Sequence, residues 1–335
     1  MDKEQVEYLV NRCTLPDTCS NVQLMETHIS WIILTDKYAF KIKKPVSFSF
    51  LDFSTSEKRK FYCRQELKLN RRLAPEMYLH VIPLTQAMAG TETGGDEVVD
   101  HAVQMKRMDN RLEMDLMLKQ DHVTMDHIDS LAAKIAGFHK KARVLKNAFN
   151  TLLFHDRFAD IQQVSAFLAE HAGEEWRQKT DFSIRKSYIY LNSIRNLSNH
   201  RVITGFQKDC HGDLNTGNIF LYDDPVIFDC IEFNSDYRRI DVLNDIAFLC
   251  VDLEFFDKPE MSERFYRKYL EFNGLDEEPQ NRKLFMYYKS YRANIRAKVT
   301  LMNMMEHENT PDVQKLEDVK KYISLMDMYL EDFEK

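Results

Sequence analysis

Glycine is scarce: the chain has nine in 335 residues, and none before Gly90. That is about 3% against a usual ~7%. It excludes a Gly-x-Gly-x-x-Gly turn or a Walker-type phosphate loop from everything before Gly90. Positive charge is also in deficit, with 46 Lys plus Arg against 53 Asp plus Glu, a net charge of -7 and a pI near 5.9. General affinity for nucleic acid or an anionic membrane needs a surplus of cations, so neither partner is expected. Any anionic ligand has to be held by a local cluster. No window reaches the ~18 apolar residues of a membrane span. The opening MDKEQVEYLV mixes charge with apolar residues and is unlike a signal peptide. Six cysteines, at 13, 19, 63, 210, 230 and 250, include no Cys-x-x-Cys pair and no histidine at zinc spacing. Disulfide scaffolds are denser than this, so the expectation is buried free thiols in a reducing, cytoplasmic compartment.

What is present is enough to fold: 44% hydrophobic and 30% charged residues, without repeats or low-complexity tracts. The first 108 residues read as strand-rich with one long helix. HISWIILT and YAFKIKK flank Asp36-Lys37 as two β-rich runs of a hairpin. Asp-Lys is not a preferred tight-turn pair, which leaves room for a longer loop. Ser54-Thr55-Ser56-Glu57 has the form of a capping box and opens EKRKFYCRQELKLNRRL, a helix ended by Pro75. MYLHVIPL and EVVDHAVQMKRM, separated by a turn region at Gly90–Gly95, read as further strands. Beyond residue 110 the period changes to that of amphipathic helices, in HIDSLAAKIAGFHKKAR, DIQQVSAFLAEHA and KSYIYLNSIRNLSNH. A second strand-like stretch, CHGDLNTGNIFLYDDPVIFDCIEF, interrupts them, and helix resumes from Asp241 to Lys335. The expected fold class is α+β, with a small β-rich N-lobe over residues 1–108 and a larger, mainly helical C-lobe over 109–335. Ligands are expected in a cleft between the two.

The segment His211-Gly212-Asp213-Leu214-Asn215-Thr216-Gly217-Asn218 carries the chemistry. Two short apolar runs around Asp223-Asp224-Pro225 follow it and lead to Asp229. A hairpin folded at that turn returns Asp229 towards Asn218, so that a carboxylate and a carboxamide oxygen converge beside Asp213. Oxygen donors of this kind, with positions left open for phosphate, suit Mg²⁺. The bland alternative is a polar loop whose acids cap backbone groups.

On these residues the chain resembles the protein-kinase-like superfamily, in its aminoglycoside phosphotransferase and small-molecule kinase branch. The kinase catalytic loop reads H-R-D-L-x-x-x-N; here it reads H-G-D-L-N-T-G-N, with the same interval from Asp213 to Asn218. CHGDL, FDCIEFN and the acids around Asp241 and Asp245 resemble more narrowly a bacterial group of uncharacterised phosphotransferase-like proteins. The resemblance implies a kinase-like bilobal fold, ATP and Mg²⁺ as cofactors, and transfer of the γ-phosphate to a hydroxyl of a small-molecule acceptor. It makes Asp213 the catalytic base, gives Asn218 and Asp229 the metal, and gives Asp245 the backbone of the catalytic loop. Cys230-Ile231 stands where protein kinases have Phe-Gly, which speaks against an activation loop. Tyr38-Ala39-Phe40-Lys41 matches the Val-Ala-Ile-Lys strand, so Lys41 is expected on the inner phosphates, with Lys43 as a rival on the same face. Glu66 is its expected partner, Glu57 being taken by the cap. Lys106–Met108 falls at the linker whose main chain would bond adenine. Thr27 and Ser30 are candidate donors to the triphosphate, since no glycine lies between Glu26 and Ser30.

Several residues stay open at this level. His211 is expected to bond backbone near Asp229 and not to act as base. Glu232 could touch a second metal or the acceptor, or be a surface acid. Lys289, Arg292 and Arg296 share one helical stripe: they either pair with acids of their own lobe, or Arg292 and Arg296 line the acceptor pocket and select an anionic substrate. The second option disfavours a polycationic aminoglycoside as acceptor. The basic run Lys58 to Arg72 reads as a solvated face, and the methionines of LMNMMEHE and SLMDMYL as core. The rivals to a small-molecule kinase are a nucleotide-binding pseudokinase scaffold and an enzyme that transfers AMP to protein.

Overall fold

The period-2 runs around Asp36-Lys37 form two antiparallel strands, Ser30–Leu34 and Tyr38–Lys43, joined by the three residues Thr35–Lys37. In this computed structural model residues 1–48, 51–90, 96–146, 149–307 and 312–331 are described. The strands belong to a five-stranded antiparallel sheet, in the order Gln23–Glu26, Ser30–Leu34, Tyr38–Lys43, Val98–Lys106, Tyr78–Thr85. Alternation along Tyr38–Lys43 divides its side chains between two layers. Phe40 and Ile42 join Val6, Leu9, Trp31 and Ile33 on one face. Ala39 joins Cys63, Tyr78, Val103 and Met105 on the other. Lys41 and Lys43 share the parity of Ala39 and so point to the face that the helix Ser56–Asn70 covers. That helix starts one residue later than the capping-box reading: Thr55 is the N-cap, and its hydroxyl accepts the Lys58 N–H at 3.3 Å.

The chain forms two compact units, Met1–Met117 with Gly217–Arg238, and Leu118–Thr216 with Arg239–Lys335. The boundary read at residue 108 therefore falls inside the first unit, and a segment assigned to the C-lobe returns to it. The reason is hydrogen bonding. The Leu221 N–H donates to the Leu112 carbonyl at 2.7 Å, and the Asp109 N–H to the Tyr222 hydroxyl at 2.9 Å. The returning segment is the expected hairpin, Ile219–Phe220 paired antiparallel with Val226–Ile227.

The second unit is helical. Val242–Phe255 is buried from Val242 through Leu253, as an element apolar on nearly every side must be. It packs against Pro259–Asn273 and Pro279–His307, and Met125–Lys141 packs on Pro259–Asn273. Among the described residues no helix is long and apolar enough to cross a membrane. In the turn region read at Gly90–Gly95, residues 91–95 lie outside the described residues, as does Glu308 at the end of LMNMMEHE.

The expectation of six free thiols needs correction. Cys13 and Cys19 form a disulfide, while Cys63, Cys210, Cys230 and Cys250 are free and buried. The helix Lys3–Arg12 ends in Cys13 with a left-handed φ of 50°, and the chain doubles back until the two Cα atoms are 6.0 Å apart, within disulfide reach. Spacing alone did not mark the pair.

Candidate active site

In the first unit, Glu66 is fully buried on the helix Ser56–Asn70 and meets two ammonium groups. Its Oε1 lies 3.0 Å from Lys41 Nζ and its Oε2 accepts from Lys43 Nζ at 2.7 Å. The lysines then diverge. Lys41 also donates to Asp229 Oδ1, and Lys43 to Glu232 Oε1, with its ammonium 4.8 Å from the centre of the Phe53 ring. Two cations thus face three carboxylates. Burial pulls Lys41 down, but Asp229 and Glu66 outweigh it and hold the ammonium well above its ordinary value. Lys43 is raised in the same way, by Glu232 and Glu66 against burial. Burial pushes Glu66 up, and the two lysines more than reverse it, to about 2. For Glu232 burial prevails over Lys43, and its carboxyl is raised.

Asp229 differs from these in being open. Its side chain is 39% exposed and its φ is +60°, in the left-handed region that non-glycine residues avoid. Its neighbours hold that turn. The Asp229 N–H donates to the Tyr78 hydroxyl at 3.3 Å and the Cys230 N–H to Asn70 Oδ1 at 2.8 Å. Asn70 in turn donates to the Glu66 carbonyl at 3.0 Å, so one helix end fixes both Glu66 and the backbone that aims Asp229. The hairpin brings Asn218 alongside: its carbonyl accepts the Phe228 N–H at 3.0 Å. Asp229, with Lys41 against its carboxylate, and Asn218, at the approach to the paired hairpin strand, carry the hard oxygen donors that Mg²⁺ with phosphate would need.

At the expected linker, the Lys106 N–H donates to the Met77 carbonyl and the Arg107 N–H to the Lys37 carbonyl, each at 2.8 Å. With Asp109 bonded to Tyr222, Met108 keeps, among the described residues, the one amide of this stretch that makes no hydrogen bond. Lys106 is thereby removed as an adenine donor. Thr27 and Ser30 bond each other across their own turn, Thr27 N–H to Ser30 carbonyl at 2.9 Å and Ser30 N–H to Thr27 Oγ1 at 3.0 Å.

In the second unit, the segment around Asp213 hangs on buried Asp245. Asp245 Oδ2 accepts the His211 N–H at 3.0 Å, and Oδ1 the Gly212 N–H at 2.7 Å. Burial pushes this carboxyl up, but the His139 bond and nearby cations hold it far below the usual range. His139, Cys210 and Asp245 stand close enough to suggest a metal. Both ring nitrogens of His139 are already engaged, with Tyr269 at 2.8 Å and Asp245 at 3.0 Å, and the Asp245 oxygens with backbone amides. The cluster is a hydrogen-bond network. His211 Nδ1 accepts the Asp213 N–H at 3.3 Å, so the histidine braces its own loop.

No protein-family model matches the chain. Uncharacterised proteins of Mycobacterium tuberculosis and Mycobacterium bovis are 30% identical over 291 residues, 83% of this chain and 54% of theirs. The chain thus spans about half the length of the curated relatives it matches. Choline kinase from Cryptosporidium parvum superposes with a TM-score of 0.57 at 11% identity, covering 98% of this chain and 95% of that one. The GDP complex of a mutant aminoglycoside 2'-phosphotransferase-IIIa gives 0.55 at 15% identity, over 98% and 96%. A choline/ethanolamine kinase family protein from Mesorhizobium loti gives 0.51 at 12% identity, over 97% and 99%.

The fold is protein-kinase-like.

Within this kinase-like fold three groups of residues left open by the sequence find their partners. Glu232 is not a surface acid, and the contact it makes is with Lys43; it is 8% exposed. Arg292 is buried and donates to the carbonyls of Asn244 at 3.1 Å and Gly212 at 3.0 Å. Arg296 pairs with Asp252 and Lys289 with Glu254. The stripe pairs inside its own unit, so the case for an anionic acceptor, and with it the charge argument against an aminoglycoside, loses its footing. Sequence reasoning missed Asn70 and Tyr78. Only the i, i+4 spacing from Glu66 to Asn70 hints at the first, and nothing marks the second.

Proposed function

We propose that the chain is an ATP-dependent phosphotransferase that moves the γ-phosphate to a hydroxyl of a small-molecule acceptor. The observation that carries this reading is Lys41 ion-paired at once with buried Glu66 and with open Asp229. A structural ion pair needs no third, half-exposed acid on a strained backbone. Lys41, held by Glu66, grips the inner phosphates, while Asn218 and Asp229 offer the oxygens that hold Mg²⁺. Magnesium, when bound, neutralises charge on the phosphates. The Met108 amide bonds the nucleotide base. Asp213 orients the acceptor hydroxyl and takes its proton, a role worth about 10²- to 10⁴-fold.

The test is a screen of cell-extract metabolites with γ-labelled ATP and Mg²⁺. Asp213→Ala abolishes transfer with nucleotide affinity retained, and Asp229→Ala weakens Mg-ATP binding itself. Full transfer by both variants refutes the assignment. Binding without turnover on any acceptor or on water favours the scaffold reading, and recovery of an adenylylated product favours AMP transfer.

A further inference from the structure

The helix Val242–Phe255 presents two unexposed acids, Asp245 and Asp252, seven residues apart. Seven residues fall about 20° short of two full helical turns, so both side chains leave one face. Asp245 takes the start of the segment that carries Asp213. Asp252 takes its end: Oδ2 accepts both the Thr216 N–H and the Thr216 hydroxyl, each at 3.2 Å. The charge on Asp252 is met from the helix Pro279–His307, where Arg296 donates through Nε at 3.1 Å and Nη2 at 3.2 Å; the Tyr322 hydroxyl adds a bond at 3.3 Å. One turn earlier on that helix, Arg292 holds the Gly212 carbonyl. Asp245 and Arg292 therefore hold the loop before Asp213, and Asp252, paired with Arg296, holds it after.

A buried Asp–Arg pair could serve only to join two helices. The Thr216 bonds distinguish the cases, because neither contributes to helix packing and both are charge-assisted bonds from the loop. A base that must meet a hydroxyl at hydrogen-bond distance loses rate steeply when misplaced, about 10²-fold for 1 Å. We propose that Asp252 is a positioning residue that fixes the end of the catalytic segment through Thr216, without touching substrate. The inference rests on the assignment of Asp213 as base.

Thr216→Val removes the hydroxyl at constant shape, Thr216→Ser keeps it, and Asp252→Asn removes the charge. The probe is Mg²⁺-dependent ATP hydrolysis with water as acceptor, read as kcat and KM for ATP, with amide hydrogen exchange over residues 211–217. Thr216→Val and Asp252→Asn lower kcat about ten- to a hundredfold and leave KM within about twofold. Exchange speeds at Thr216 but not at His211 and Gly212, and Thr216→Ser restores kcat. Wild-type kcat in Thr216→Val and Asp252→Asn overturns the inference. So does faster exchange spread through the whole Val242–Phe255 helix, which marks a purely structural pair. A wild-type protein that binds no Mg-ATP refutes the phosphotransferase reading instead, and the exchange at Thr216 then decides the clamp alone.

Discussion

Lys43→Met separates the two lysines of YAFKIKK. Methionine keeps much of the volume and removes the charge. In the native cluster two ammoniums face Glu66, Glu232 and Asp229; the variant leaves Lys41 alone against all three. Breaking a buried pair by removing one partner costs about 3–5 kcal/mol. For a unit of about 140 residues that is roughly 10–15 °C in Tm. The loss depends on pH. Burial already raises Glu232 in the folded state, and Lys43 is the strongest group opposing it. Without Lys43 the carboxyl climbs further, so the folded protein keeps a proton that the unfolded chain releases near its ordinary value of 4.5. Stability then falls as pH rises above the ordinary value of 4.5, so the deficit is smallest in acid and grows as the pH rises. Lys43→Met with Glu232→Gln recovers most of it, since the two sites are in contact. Urea unfolding followed at Trp31, in the same unit, reads the effect, with Trp176 in the other unit as the internal comparison. A loss under about 1 kcal/mol at high pH, or a double variant no better than the single, refutes the reasoning. Unchanged stability with lost ATP affinity would make Lys43 the phosphate ligand.

Three further outcomes are expected. Asn70→Ala leaves the buried Cys230 N–H without its acceptor, costs about 1–3 kcal/mol in thermal unfolding, and weakens Mg-ATP binding because Asp229 is no longer aimed. Glu66, held to about 2 in the folded state against 4.5 ordinarily, contributes stability above its ordinary value that is lost as pH falls through that interval. The amount is on the order of 3 kcal/mol, and Glu66→Gln removes this part of the acid-unfolding profile. Reducing the Cys13–Cys19 bridge, which closes a short loop of sequence separation 6, costs about 2 kcal/mol by loop entropy, measured as a Tm difference with and without reductant.

Much of this was legible because the signals are local. Period-2 runs gave the sheet, the Asp223–Pro225 turn gave the hairpin, and the intervals around Asp213 carried the resemblance. The same periodicity could not choose between Lys41 and Lys43, because alternation sends both to one face. That choice depends on which acid each reaches, Asp229 or Glu232, and both are nearly 190 positions away along the chain. Glu232, Arg292 and Arg296 were open for the same reason: each finds its partner through tertiary packing, and a charged side chain read alone looks free. Asn70 works by bonding backbone and Thr216 by donating to an acid 36 positions away, and neither leaves a pattern of charge or polarity to read. The disulfide depends on a left-handed helix end at Cys13, a conformation that cysteine does not advertise.

The discontinuity of the first unit bears on how the chain is made. Residues 1–117 emerge from the ribosome carrying Lys41, Lys43 and Glu66, two cations for one anion, and Asp229 and Glu232 follow only after a hundred residues of the other unit. Until those acids arrive, closing the sheet over its helix would bury an unbalanced positive charge. The nascent N-terminal third therefore lacks the two acids that balance its lysines, and a fragment cut at residue 117 lacks them permanently.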